Sequence, residues 1–240
     1  MSAACGNVFW SFAVRTGKGI LSGFQDTFLH FFASLPDQER FYLTGGTALA
    51  EYYLGHRLSD DLDLFTSEAG LIVPFSYRVE QAAQAAGMEI AVVRRFASFV
   101  EFQVNQGENK LKVDLALESP FRFAPTELSD TGVWVNDFQD IQTDKILAFF
   151  GRAEPRDAID LYFLLQKTSF AELAELARQK DTGFDLYWFA IALNRTAAFP
   201  DEIERWPVRM LVACDPLALK RSFQSLAIQI MAENTGLGFG

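Results

Sequence analysis

Thr44-Gly45-Gly46-Thr47, followed by Asp61-Leu62-Asp63-Leu64, sets a glycine turn ahead of two carboxylates that alternate with leucines. The glycines follow the short run Phe41-Tyr42-Leu43 and precede Ala48-Leu49-Ala50, a pattern of strand, turn and helix. Backbone N–H groups at such a turn and helix start can meet an anion. In the second strand the period of two puts Asp61 and Asp63 on one face and Leu62 and Leu64 on the other. Neighbouring carboxylates repel unless a cation sits between them, and hard oxygen donors at this spacing suit Mg²⁺ or Mn²⁺. A phosphate cradle beside a carboxylate pair is the equipment of phosphoryl or nucleotidyl transfer. A Walker A loop would end in Gly-Lys-Ser/Thr and a dinucleotide fingerprint would have a third glycine; neither is present. His56-Arg57-Leu58-Ser59-Asp60 is not followed by Asp-Phe-Gly, so a protein kinase is excluded as well.

These residues need elements to hold them. Phe24, Phe28, Phe31 and Phe32 recur at helical spacing and predict an amphipathic helix over 21–34. His30 falls in that helix, whereas His56 and Arg57 fall in the loop before the Asp-Leu-Asp strand, a better place for function. Pro74 and Gly87 bracket a second helix, and strands are expected over 88–94, 99–105 and 110–117. In the last of these Lys112 and Asp114 share a face, which makes Asp114 either a third carboxylate of the site or part of a solvated outer face. Pro120, Pro125 and Gly132 then interrupt the pattern, and the chain turns helical. The expected helices cover 138–150, a start at 154–162, then 170–179, 184–198 and 216–232. Lys145 lies on a partly apolar helix face, where it either snorkels or serves the site. Arg156 and Asp160 are spaced for an i,i+4 pair. The expectation is an α/β (α+β) protein: a mixed-sheet domain over 1–130 with an N-terminal helical segment, then a helical domain over 131–240.

Composition narrows the classes. Half of the 240 residues are apolar and 24 are phenylalanines spread along the chain, so a large core is expected and disorder is not. The apolar stretch 8–14 is short, and no basic residue precedes it to make an export signal. Two distant cysteines, Cys5 and Cys214, have no metal-like spacing and fit a reducing cytoplasm. A formal charge of −10 disfavours sequence-blind adhesion to DNA or to an anionic membrane. An RNA touched at one end remains compatible with it. Arg195, Arg205, Arg209, Lys220 and Arg221 scatter cations over the last third, either as a solvated surface or facing a polyanionic substrate.

With these segments together, the sequence resembles the AbiEii/AbiGii nucleotidyltransferase toxin family, a branch of the polymerase-beta-like nucleotidyltransferases. Gly45-Gly46-Thr47-Ala48-Leu49-Ala50 and the run 56–65 look like the family's first motif, and Lys112-Val113-Asp114 like its second. Lys145 with Arg152, Arg156-Asp157 and Asp160-Leu161 resembles the later helical motif. The resemblance implies a bilobed protein with its site in a central cleft. It implies Asp61, Asp63 and Asp114 as metal-binding and catalytic residues, with Lys145 catalytic too. Nucleotide contacts would come from Gly45, Gly46, Thr47, Arg57, Ser59, Lys145, Asp157 and Asp160. The cofactor would be Mg²⁺ or Mn²⁺, the substrate an NTP, the acceptor an RNA (a tRNA end included) or a protein, and the partner a cognate antitoxin. The alternative is a non-catalytic nucleotide-binding or interaction module that keeps this fold.

Overall fold

A computed structural model describes residues 14–234; Cys5, most of the apolar stretch 8–14 and the tail 235–240 lie outside the described residues. The chain runs α1 (Gly23–Ala33), β1 (Tyr42–Thr44), α2 (Gly45–Ala48, continued as a wider π-type turn over Leu49–Leu54), β2 (Asp61–Thr66), α3 (Ile72–Ala85), β3 (Glu89–Phe96), β4 (Phe99–Gln106) and β5 (Asn109–Leu117). Two short strands, β6 (Glu127–Leu128) and β7 (Trp134–Val135), precede α4 (Phe138–Arg152), α5 (Pro155–Leu164), α6 (Phe170–Lys180), α7 (Leu186–Arg195) and α8 (Pro216–Asn234). The mixed α/β class expected from the sequence is the class observed. A 3-10 turn at Thr196–Ala198 replaces the end of the helix expected to reach 198.

One seven-stranded sheet has the order β3-β4-β5-β2-β1-β7-β6. β2 and β5 pair in parallel, as do β1 and β7, and the other neighbours are antiparallel. Pro120, Pro125 and Gly132 hid β6 and β7, which carry the sheet on to Val135 after the irregular stretch. Burial alternates along β2, where Leu62 and Leu64 have no exposed surface while Asp61 and Asp63 keep some. The β2/β5 register sets Asp63 opposite Asp114 and Asp61 opposite Lys112, so these side chains share one sheet face.

Most of the described phenylalanines are buried in the core or packed against it, with Phe96 and Phe121 exposed. Ser22 and Gln25 form a capping box that starts α1, and the helix buries Phe24, Phe28 and Phe32. Phe32 meets Phe75 of α3 at 5.5 Å, and Phe41 stacks on Phe75 at 4.3 Å, fixing both helices against the sheet. In the helical part Phe149 of α4 packs edge-on against Phe189 of α7 and Phe223 of α8. Asp137 caps α4 by accepting from Gln139 and Asp140. No helix among the described residues is long and apolar enough to cross a membrane.

Candidate functional site

The glycine turn lies against the carboxylate strand, and only glycine fits there. Gly45 has φ +70°, and a Cβ at this position would overlap the Asp63 carboxylate. At Gly46 a Cβ would stand 2.8 Å from both Arg57 Nη2 and Ser59 Oγ. Both glycines therefore let the backbone lie directly against the carboxylate strand and the 56–59 loop. Thr47 does not face the open space; its hydroxyl donates to the Asp61 carbonyl and pins the start of α2 to β2.

An open cavity of about 570 Å³ lies over these elements. Asp61, Asp63, Lys112 and Asp114 line it from the sheet, Gly46, Arg57 and Ser59 from the turn and loop. From the helical part come Lys145, Arg152 and Arg156, and beyond them the segment 206–209. Asp114 thus belongs to the cavity face and not to a solvated outer face. Burial pushes the Asp63 carboxyl up, and the nearby Asp114 and Asp61 push the same way against the pull of Lys145. Burial also raises Asp114, while the hydrogen bond from Lys112 opposes it.

Lys112 is the cation that the sequence reading left without a role. Its Nζ stands 2.7 Å from Asp114 Oδ2 and 3.8 Å from Asp61 Oδ2, so it occupies the space between two of the expected metal ligands. Among the described residues no three carboxylate, histidine or cysteine groups converge closely enough to hold a metal ion as they stand. The donor chemistry nevertheless fits a hard cation: three carboxylates face one cavity, and Asp114 Oδ1 is buried without a hydrogen-bond partner.

Two residues expected to contact nucleotide lie behind the cavity. Asp160 has no exposed surface, and its Oδ1 accepts from Arg57 Nε at 2.7 Å and His56 Nε2 at 2.8 Å. Its Oδ2 takes Arg57 Nη2 and Lys145 Nζ, each at 2.8 Å. The i,i+4 pair with Arg156 is absent; Arg156 reaches Glu154 instead, at 3.1 Å, because Asp160 already serves three basic groups. Burial opposes the charge on Asp160, but Lys145 and Arg57 hold its carboxyl well below the usual carboxylate range. Burial lowers His56, so the neutral ring donates from Nε2. Asp157 is likewise buried and receives two bonds from Arg152, at 2.6 and 2.7 Å. These two acids hold the cations Arg57, Lys145 and Arg152, which line the cavity, without lining it themselves. His30 sits apart, exposed and 3.7 Å from Asp26.

The segment 206–212 has no chemical motif, and of it the sequence pointed only to Arg209, as one of several scattered cations. It pairs with the 56–58 loop: Leu58 N donates to the Arg209 carbonyl at 2.8 Å, and Leu211 N to the His56 carbonyl at 2.9 Å. Arg209 crosses the cavity mouth to an ion pair with Asp60.

A family model described as Nucleotidyl transferase AbiEii toxin, Type IV TA system, matches residues 30–216. The chain belongs to this family. Membership makes it a nucleotidyltransferase, and the matched span takes in every cavity residue named above. An uncharacterized Aquifex aeolicus protein, aq_aa25, is 30% identical over 175 residues, covering 68% of this chain and 76% of the relative. Among solved structures, a Helicobacter pylori protein assigned as a nucleotidyltransferase superposes with a TM-score of 0.59 at 20% identity, covering 92% of this chain and all of that one. MenT4, the nucleotidyltransferase toxin Rv2826c of Mycobacterium tuberculosis H37Rv, gives 0.54 at 17% identity, covering 86% of this chain and 82% of that one. At these identities the structural likeness speaks to the fold.

Proposed function

We propose that the chain transfers a nucleotidyl group from an NTP to an acceptor hydroxyl on an RNA, as the toxin of a type IV toxin–antitoxin pair that a cognate antitoxin restrains in the cytoplasm. The observation that carries this reading is the division of one cavity. Carboxylates on adjacent parallel strands, with Lys112 among them, line it from the sheet, and cations held by buried acids line it from the 56–59 loop and the helices. Such a division matches a substrate whose triphosphate needs positive partners and whose reacting phosphorus needs a metal. Asp61, Asp63 and Asp114 would hold Mg²⁺ or Mn²⁺, which when bound neutralises phosphate charge and orients the attacking oxygen.

The chain's own groups do the rest. Lys145, Arg57 and Arg152 hold the phosphates, their directions fixed by Asp160 and Asp157. Gly45 and Gly46 let the α-phosphate approach the carboxylate strand. Asp114, whose Oδ1 has no partner, either completes the metal site on the attacking side or accepts the acceptor's proton. The acceptor oxygen bonds to the α-phosphorus, the bond from that phosphorus to the bridging oxygen breaks, and pyrophosphate leaves. Lys112 must give up its place between Asp61 and Asp114 for a cation to bind there.

The test is incubation with each of the four α-labelled NTPs, Mg²⁺ and either total cellular RNA or total protein. Label on RNA is the expected result. Label on protein alone would replace the acceptor while keeping the chemistry. Tight NTP binding with label on neither would leave a binding module and overturn the reading.

A further inference from the structure

Apart from Gly46 and Ser59, the cavity lining is charged except on one apolar side. Leu58, Pro207 and Val208, backed by Trp206, make a continuous apolar wall at the side where the 56–58 loop meets the segment 206–209. We propose that this wall is the subsite for the nucleobase of the NTP. The inference rests on the nucleotidyl-transfer reading and adds where the base lies.

Three observations support it. First, the wall is rigid: Trp206 is 4% exposed, its indole N–H donates to the Pro200 carbonyl at 2.9 Å, and its ring packs edge-on against Phe199 at 5.2 Å. The backbone bonds from Leu58, Leu211 and Val212 clamp the other end to the 56–58 loop. Second, Pro207 is exposed and Leu58 and Val208 are half-buried, so apolar surface is open to the cavity. A nucleobase offers flat apolar faces that gain by leaving water, whereas phosphates belong with the cations. Third, the wall is joined to the phosphate side by adjacent residues. Leu58 follows Arg57, whose guanidinium is locked to Asp160, so one loop presents a cation toward phosphate and an apolar side chain toward base. Ser59 and Arg209 border the wall and are the lining groups beside it that could meet a base edge.

Equilibrium binding of ATP, GTP, CTP, UTP and inorganic tripolyphosphate, each with Mg²⁺, tests the wall in the wild type, Val208→Asn and Pro207→Gly. The wild type should bind NTPs roughly tenfold more tightly than tripolyphosphate, the effect of covering one base face. The variants should bring NTP affinity down to within about threefold of tripolyphosphate and leave tripolyphosphate affinity unchanged, which also shows them folded. Equal wild-type affinity for NTP and tripolyphosphate would overturn the wall while leaving nucleotidyl transfer standing. Variants that bind NTP normally but label RNA poorly would assign the wall to the acceptor and overturn it too. A wild type that binds neither probe would remove the nucleotidyl-transfer reading itself.

Discussion

Asp160→Asn removes one charge and almost no volume from a side chain with no exposed surface that faces Lys145, Arg57 and His56. The variant leaves two nearly buried cations short of their shared counter-charge. Breaking a buried ion pair by removing one partner costs about 3–5 kcal/mol. For a chain of this size each kcal/mol moves the melting temperature by about 2–4 °C, so the expected fall is roughly 6–20 °C. The pH dependence has a defined sign. Lys145 and Arg57 depress the folded-state pKa of Asp160, so its contribution is present above the unfolded value near ~3.9 and is lost as pH falls toward the folded one. The gap between wild type and variant, read by thermal denaturation, should hold from pH 5 to 8 and close in stronger acid. Transfer should fall as well, since Arg57 and Lys145 lose the group that aims them. A variant melting within a degree of the wild type at pH 7 would refute the idea that Asp160 organises the cavity's cations.

Asp63→Asn should behave oppositely in stability: it relieves a carboxylate that burial already disfavours, so melting should stay level or rise while label transfer drops roughly 10²-fold or more. Gly45→Ala should damage both, because φ +70° strains alanine and the new methyl displaces Asp63; circular dichroism and label transfer read the two effects. A second cluster offers a pH test: Lys180 bridges Glu118, Asp140 and Asp144 at 3.1, 3.2 and 2.6 Å, and burial pushes Asp144 up to about 7. A raised carboxylate weakens the fold as pH climbs from its unfolded value through 7, so Asp144→Asn should gain melting temperature relative to wild type between pH 5 and pH 8. A difference that shrinks over that interval would show the charged form of Asp144 to be the favoured one.

The parts of the site carried by local pattern were legible in the sequence. Alternation along β2 was enough to set Asp61 and Asp63 on one face, because a strand's period of two fixes faces whatever its neighbours do. Along β5 it only joined Asp114 to Lys112, and the β2/β5 register decided that their face is that of Asp63. Gly45 and Gly46 were legible because few other reasons exist for two glycines between a strand and a helix. Asp160 was misread for an equally physical reason. Spacing offers Arg156 as a partner one helical turn away, but Arg57 lies 103 residues distant in sequence and wins by burial. The face shared by Lys112 and Asp114 stayed open between site and solvent until the register set Lys112 beside Asp61. Glu51 gave no signal at all: it accepts from the backbone of Gly19, Ile20 and Leu21, and a loop's N–H groups have no pattern in side-chain types. The short β6 and β7 are likewise set by pairing with β1 and each other, not by propensity.

The pairing of the 56–58 loop with the segment 206–212 has a consequence in time. Asp60 and Arg209, which face each other across the mouth, are 149 positions apart in the chain. Synthesis at about 5–20 residues per second therefore separates the carboxylate strand from its far wall by roughly 7–30 s. During that interval the nascent chain carries the acids of β2 but neither the clamp on His56 and Leu58 nor the arginine at the mouth. A member of a toxin family built this way begins to emerge with its cavity still open on one side, and the last wall is made only just before α8.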